Sequence, residues 1–272
     1  GRNVALAYDS SDGTVAVAYQ TESAADSHYE IRYAELPRGA SAFLTPEKVQ
    51  VQTDTEHWLY SPGLARANGT AHLVYQGAWL LCTGGCPGLV YRSKAAGGSW
   101  TAAQVVVGSE GGHSVHGQTV VRVDSNGVPG VAFLGEPDTD YTQYVRFWRP
   151  SMASAVVVTK GIQTDDPGIA LAFAGTKPRL AFALNYASSA ATVWYSESDT
   201  GATWSTPTAI PQDHGGIMGP WVSLAISQGK VAIAATESGA SGSDPDACGQ
   251  PKISQSSAPP AFTTCGPATS VS

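Results

Sequence analysis

The chain has 272 residues, a formal net charge of −7 and no run of lysine or arginine, so it lacks the electrostatic footprint of a nucleic-acid-binding protein. No apolar stretch reaches the roughly 18 residues of a membrane span, and we expect a soluble chain without a membrane-spanning segment. The sequence opens without an apolar segment of signal-peptide type, so we expect that any leader has been removed.

Five pairs of short, alternating apolar segments follow one another along the chain. In the first pair, residues 4–8 are followed by a turn and then by residues 15–19. Alternation with period two is typical of strands, and two such runs joined at a glycine predict a β-hairpin. The turn glycines recur at a mean spacing of 54 residues, at Gly13, Gly69, Gly127, Gly175 and Gly229.

Each hairpin is followed by a third and a fourth short segment with strand character. The fourth segments include residues 43–51, 100–107 and 204–210. Four antiparallel strands in a repeated unit form the blade of a β-propeller. The sequence therefore predicts an all-β fold, a single five-bladed β-propeller over residues 1–272 whose blades span about 3–54, 55–110, 111–161, 162–212 and 213–272.

Two other folds would also account for parts of this pattern. A β-sandwich with a coincidental period would also consist of short alternating strands. A helix over residues 14–36 would explain why that stretch lacks glycine and proline, but its first half alternates with period two, which favours strands.

Two turns between third and fourth strands carry variants of one sequence pattern, SxDxGxxW. Asp199–Trp204 has the aspartate, glycine and tryptophan of SxDxGxxW, with Glu197 at the first position, and Ser93–Trp100 has Ala95 in place of the aspartate. These turns resemble the Asp-box of the sialidase-like (BNR/Asp-box) β-propeller superfamily. The resemblance covers two of five repeats and implies a propeller fold and secretion. It implies an aspartate that accepts backbone hydrogen bonds and a tryptophan packed between blades, but the arginine triad of sialidases has no match here.

The four cysteines form two local pairs, Cys82 with Cys86 and Cys248 with Cys265. Such pairs predict two disulfides and a secreted or periplasmic location. Four cysteines allow three pairings, and the spacing of Cys82 and Cys86 leaves a metal-binding or redox role as the alternative.

Four of the six histidines fall in the connections that lead from a fourth strand to the next first strand. These connections approach the propeller axis, so equivalent positions point toward a common centre. The candidate metal ligands are His57, His113, His116 and His214, and the candidate acid/base or supporting carboxylates are Asp165, Asp166 and Asp213. The pattern predicts a site for zinc, copper, iron or manganese, and the alternative is a set of ordinary solvated histidines.

Aromatic residues near the same rim indicate a glycan ligand, because tryptophan and tyrosine rings can stack on sugar faces. The candidates are Trp58, Trp79, Tyr141 and Trp221, although Trp58 and Trp221 could instead pack between blades. Two functions follow from the sequence. One is a secreted propeller that binds an extracellular ligand, a glycan or another small molecule, at one asymmetric site on the long-loop face. The other is a metal-dependent hydrolase or lyase that uses the histidines.

Overall fold

The computed structural model describes residues 2–22, 28–51, 59–77, 88–107, 113–114, 119–137, 142–162, 168–184, 192–210, 217–238, 248–256 and 262–265. Within these ranges all regular elements are β-strands, and they form five antiparallel sheets. In this part of the chain no helix has the length and apolarity needed to cross a membrane.

The first three sheets each contain four strands in chain order. The first consists of β1 (Arg2–Tyr8), β2 (Val15–Glu22), β3 (Tyr29–Leu36) and β4 (Glu47–Val51). The second consists of β5 (Leu59–Ala67), β6 (Thr70–Gly77), β7 (Gly88–Lys94) and β8 (Gln104–Val107). The third consists of β10 (Thr119–Val123), β11 (Pro129–Pro137), β12 (Thr142–Trp148) and β13 (Val156–Ile162), with the short β9 (His113–Ser114) paired to β11.

The last two sheets repeat the same order. The fourth consists of β14 (Ile169–Ala174), β15 (Lys177–Leu184), β16 (Thr192–Glu197) and β17 (Thr208–Ala209). The fifth consists of β18 (Ile217–Ser227), β19 (Lys230–Ser238), β20 (Cys248–Ser256) and β21 (Phe262–Cys265). The predicted all-β fold with five four-stranded antiparallel blades is confirmed, and the helix over residues 14–36 is excluded by β2 and β3.

Apolar cores fill the spaces between consecutive sheets. Each core combines large residues of one sheet with alanine and a third-strand aromatic residue of the sheet before it. The buried third-strand aromatics are Tyr33, Tyr91, Phe147 and Tyr195. The inner strands β1, β5, β10, β14 and β18 pack in this order, while no extensive contact between the described residues joins the first sheet to the fifth.

The antiparallel order gives the molecule two rims. We call the end with the β1–β2 and β3–β4 turns, and their equivalents in the other sheets, the turn rim. The opposite end, where first and third strands begin, is the loop rim. At the turn rim, Asn68 and Gly69 both have positive φ, 51° and 74°, as a type I′ hairpin turn requires.

Two tryptophans at the turn rim pack between sheets, as the resemblance implied. Trp100 stands edge-on to Tyr33 of the first sheet with ring centroids 5.1 Å apart. Trp204 contacts Phe147 of the third sheet with centroids 5.2 Å apart.

In the turn that leads to Trp204, the hydrogen bonds differ from the expectation that Asp199 accepts them. Ser198, and not Asp199, accepts the backbone bonds, because its Oγ receives the amide of Gly201 at 2.7 Å and that of Thr200 at 3.2 Å. Asp199 is exposed and forms an ion pair with Lys177 at 2.8 Å. The buried serine sits closer to the turn backbone and takes the role predicted for the aspartate.

Candidate functional site

The inner strands of three sheets begin with a β-bulge at the loop rim. The pairing register shifts between Arg2 and Val4 in β1, between Tyr60 and Gly63 in β5, and between Met218 and Val222 in β18. Bulges redirect side chains and are enriched at the rims of β-structures next to functional sites. The loop rim around the inner strands is therefore our candidate functional site.

Two of these bulges contain non-glycine residues with left-handed backbone. Ser61 has a φ of 49° and precedes Pro62, while Asn3 has a φ of 50°. Asn3 is held by its side chain, whose Nδ2 donates to Gln20 Oε1 at 2.9 Å. Such backbone costs free energy for residues other than glycine, and it is found preferentially at functional sites.

The second and third sheets approach each other closely at this rim. A Cβ atom on Gly63 would lie 3.0 Å from both the carbonyl oxygen of Thr119 and a methyl of Val74. Glycine therefore permits β5 and β10 to meet where they enter the rim. The Thr119 hydroxyl is buried there, and no described residue forms a hydrogen bond with it.

The first sheet contributes a buried carboxylate at the start of β3. Glu30 is 1% exposed and accepts from Arg32 at 2.7 Å and from Lys48 at 2.5 Å. Burial alone would raise the pKa of Glu30, but hydrogen bonds from Lys48 and Arg32 outweigh it and lower that pKa. A carboxylate held ionised by two cations positions its neighbours and is unsuited to donate a proton near neutral pH.

The third sheet contributes one arginine. The Arg146 guanidinium lies 5.4 Å from the ring centroid of Tyr144 near the start of β12. Burial lowers the pKa of Arg146 but leaves it charged at neutral pH, so it offers positive charge. Arg122 of the inner strand β10 pairs with Gly130 beside the β10–β11 turn, so it lies toward the turn rim and outside this site.

His113 is the candidate metal ligand whose backbone the structure describes. In β9 it pairs with Pro137, while Ser114 pairs with Glu136. Because β12 occupies the other edge of β11, β9 continues the inner edge of the third sheet beyond the start of β10. The backbone of His113 thus lies at the inner edge of this sheet, at the loop rim.

Trp221 lies within the bulge of β18, in the stretch between Met218 and Val222. The remaining candidate residues lie outside the described residues: His57, His116, His214, Asp165, Asp166, Asp213, Trp58, Trp79, Tyr141, Cys82 and Cys86.

The register of the fifth sheet bears on one predicted disulfide. Cys265 in β21 pairs with Ile253 in β20, whereas Cys248 lies five residues before Ile253 on the same strand. Five residues of strand span about 17 Å, and a disulfide needs Cα atoms within about 7 Å. This register does not allow a Cys248–Cys265 disulfide.

Within the described ranges, no group of three or more histidine, cysteine, aspartate and glutamate residues is arranged to hold a metal ion. The acidic residues that do converge, Asp9, Asp12 and Glu35, surround the buried Arg66 at the turn rim instead.

Sequence reasoning missed the bulges, β9 and the contact between Gly63 and Thr119. Two of the bulges could have been predicted from proline residues, Pro62 in β5 and Pro220 in β18. Proline within a strand is confined to edges and bulges. The pairing of β9 depends on a strand that extends beyond its neighbours, and local pattern does not reveal such an extension.

The series of four-stranded blades defines the class of the protein as a β-propeller. No known protein family and no curated protein matches the sequence. Solved structures match the fold. The polysaccharide lyase Uly1 shares 11% identity over 87% of this chain and 55% of its own, with a TM-score of 0.58. The PL25 ulvan lyase shares 12% identity over 82% of this chain and 59% of its own, with a TM-score of 0.56.

A third similar structure is an alpha-L-arabinanase from Penicillium chrysogenum in complex with arabinobiose. It shares 14% identity over 82% of this chain and 67% of its own, with a TM-score of 0.54. At such identities the likeness establishes the fold. The chain spans less than three fifths of the length of the two lyases.

Proposed function

We propose that this protein binds a polysaccharide or oligosaccharide at the loop rim, around the starts of the inner strands. The observation that carries the proposal is the cluster of bulged inner-strand starts at one rim, with strained backbone at Ser61 and Asn3. Solved structures with a similar fold include polysaccharide lyases and an arabinanase bound to arabinobiose, which supports a glycan as the ligand.

Aromatic residues near these strands would provide the stacking surfaces. Trp58 immediately precedes β5, Tyr141 immediately precedes β12, and Trp221 belongs to the β18 bulge. Trp79 follows the end of β6 by two positions. Sugar rings bind aromatic faces through apolar C–H surfaces, while their hydroxyl groups require nearby hydrogen-bonding groups, and Arg146 would supply donors.

Binding titrations with ulvan and arabinan oligosaccharides test this proposal. Trp58→Ala and Trp221→Ala should each weaken binding about tenfold, the loss expected for one aromatic contact of about 1.4 kcal/mol. Phe43→Ala is the matched control, because Phe43 is 44% exposed in the β3–β4 connection at the opposite rim. Absence of glycan binding, or an equal loss with Phe43→Ala, would reject the proposal.

A second candidate function is a metal-dependent hydrolase or lyase at the same rim. The position of His113 at the inner edge of the third sheet favours it. His57 and His214 precede the inner strands β5 and β18 by two and three positions, and His116 precedes β10 by three. A zinc, copper, iron or manganese ion held by these imidazoles would polarise a carbonyl or activate a water, with Asp165, Asp166 or Asp213 as acid/base groups.

Elemental analysis of protein purified without chelator or histidine tag tests this second function. We expect about one transition metal per chain, lost in His57→Ala and His113→Ala. His28→Ala, a change at a half-buried histidine beside β3, is the matched control and should retain the metal. Protein free of metal, or equal loss in the control, would contradict the metal site.

The secreted or periplasmic location remains a prediction and is part of this proposal. A Cys82–Cys86 disulfide would support it, and mass spectrometry of the native protein under alkylating conditions would detect two fewer free thiols.

A further inference from the structure

The outer face of the first sheet carries an uncovered apolar stripe. Val4, Leu6 and Tyr8 alternate along β1, and they are 63%, 66% and 63% exposed. They face away from the second sheet, because the intervening Ala5 and Ala7 pack toward it. A contiguous exposed apolar surface of this kind marks an interaction site.

The stripe occupies a position that is buried in each of the other sheets. On the later inner strands, the residues that face the preceding sheet are also large and apolar. Their exposures are 3% for Leu64, 1% for Val121, 2% for Leu171 and 8% for Val222. The first sheet therefore presents the same kind of face, and no sheet of the described residues packs extensively against it.

The fifth sheet presents the complementary kind of face. In the four cores, the face that receives these large residues includes alanines, for example Ala16, Ala65, Ala132 and Ala181. On β18, the residues that point away from the fourth sheet are Ser223 and Ala225, and both are exposed. They pair with Ala234 and Ala232 of β19.

We infer that a further four-stranded β-blade, carried by the same polypeptide as residues 1–272, docks between the first and fifth sheets. Its alanine-bearing face covers Val4, Leu6 and Tyr8, and its face of large residues covers Ser223 and Ala225.

Covalent attachment follows from the physics of a single blade. A repeat unit of this kind cannot bury its apolar face alone, so a separate blade would not be folded and available in trans. A blade in the same chain docks at a high effective concentration, so even a modest interface would be occupied.

The test supplies such a blade from the protein's own repeat. A copy of residues 162–212 is appended before residue 1, because this unit carries Ala170 and Ala181 on one face and Leu171 and Phe182 on the other. Compared with residues 1–272, the extended protein should bind an apolar dye several-fold less and melt several degrees higher. A copy appended after residue 272 serves as the second variant and should act alike, since either attachment reaches the same gap.

Substitution of the stripe completes the test. Leu6→Asp should abolish the rise in melting temperature of the extended protein. In residues 1–272 the same substitution should change the melting temperature by less than about 2 °C. Leu44→Asp is the matched control, because Leu44 is 54% exposed at the turn rim, and it should be neutral in both proteins.

Three results would overturn the inference. In the first, neither appended copy lowers dye binding relative to residues 1–272, and Leu6→Asp has the same effect in the extended proteins as in residues 1–272. In the second, residues 1–272 form a dimer that Leu6→Asp dissociates, which assigns the stripe to a second copy. In the third, Leu6→Asp destabilises monomeric 1–272 to the same degree as the extended protein, which assigns it to direct closure by the fifth sheet.

Discussion

Arg66 joins the first two sheets at the turn rim through buried ion pairs. Its side chain is 3% exposed between the first two sheets, with Asp12 at 2.8 Å and Glu35 at 3.0 Å from its terminal nitrogens and Asp9 at 3.7 Å from Nε. Burial alone would raise the pKa of Asp9, but hydrogen bonds from Ser11 and Gly69 outweigh it and lower that pKa. Arg66 therefore stabilises a sheet interface at the turn rim, far from the candidate site.

Replacing Arg66 by methionine should destabilise the protein strongly. The change leaves a buried carboxylate and two neighbouring acids without their cation, which typically costs about 3–5 kcal/mol. Arg122→Met removes an exposed arginine and should cost less than about 0.5 kcal/mol. Urea denaturation measures both, and similar losses in the two variants would show that the buried cluster has no special weight.

His72 provides a pH-dependent element in the same region. It is 6% exposed, its Nδ1 lies 2.8 Å from the Tyr91 hydroxyl, and its Nε2 has no hydrogen-bond partner among the described residues. Burial lowers its pKa to about 4. The folded state thus holds a neutral imidazole, while the unfolded chain binds a proton with a pKa near 6.5.

Stability should therefore fall as the pH drops from about 6.5 toward 4. The contribution of His72 at pH 5 is a loss of about 2 kcal/mol relative to pH 7.5, since each pKa unit corresponds to about 1.4 kcal/mol. Urea denaturation at the two pH values should show this loss in the natural chain and a smaller one in His72→Gln. An unchanged pH slope in the variant would show that His72 is accessible to protons in the folded protein.

At the scale of single elements, the fourth strands show how accurately a local sequence pattern predicts where a strand begins. The sequence placed their starts at Phe43, Trp100 and Trp204, whereas β4, β8 and β17 begin four residues later in each case. The intervening residues form a turn closed by one recurring backbone bond, from the amides of Leu44, Thr101 and Ser205 to the carbonyls of Glu35, Ser93 and Glu197. Trp100 and Trp204 pack between sheets there, whereas Phe43 is exposed, and period-two reasoning counts all three as strand residues.

Gly201 is the point where such a turn touches the neighbouring sheet. Its φ is 86°, and an added Cβ would lie 2.5 Å from the Phe147 ring. Gly201→Ala should cost about 2–4 kcal/mol, from about 1 kcal/mol of backbone strain and the displacement of a packed ring. Gly175→Ala is the control, because that glycine has a φ of 65° and an added Cβ would have no neighbouring atom within 4 Å. This substitution should cost only the backbone strain of about 1 kcal/mol.

Thermal denaturation of both glycine variants separates these two contributions. A larger loss for Gly201→Ala locates the excess in the contact with Phe147. Equal losses would mean that the third and fourth sheets accommodate a methyl group there without rearrangement.

At the scale of the whole molecule, the sequence was sufficient for the number and order of sheets, since each repeat encodes its own hairpin through alternation and a turn glycine. It was not sufficient for the site, because convergence of His57, His113 and His214 depends on how the sheets are arranged around an axis. It also missed the exposed stripe on β1, because Val4, Leu6 and Tyr8 alternate like the buried residues of later sheets. Local pattern specifies that a face is apolar, but not whether a neighbour covers it.

The series of sheets also predicts how the molecule opens. Sheets two to four are each packed between two neighbours, whereas the first and fifth sheets each have one extensive described neighbour. In repeat architectures stability is a sum of unit and nearest-neighbour terms, so the end sheets should open with the lower free energy.

Native-state hydrogen exchange should show slower exchange for the paired amides of β6, β11 and β15 than for those of β2 and β19. Appending the further blade should slow exchange in β2 and β19 while leaving β11 unchanged. Equal protection in all five second strands without the blade would mean that the sheets unfold as one cooperative unit and that the ends are not weak points.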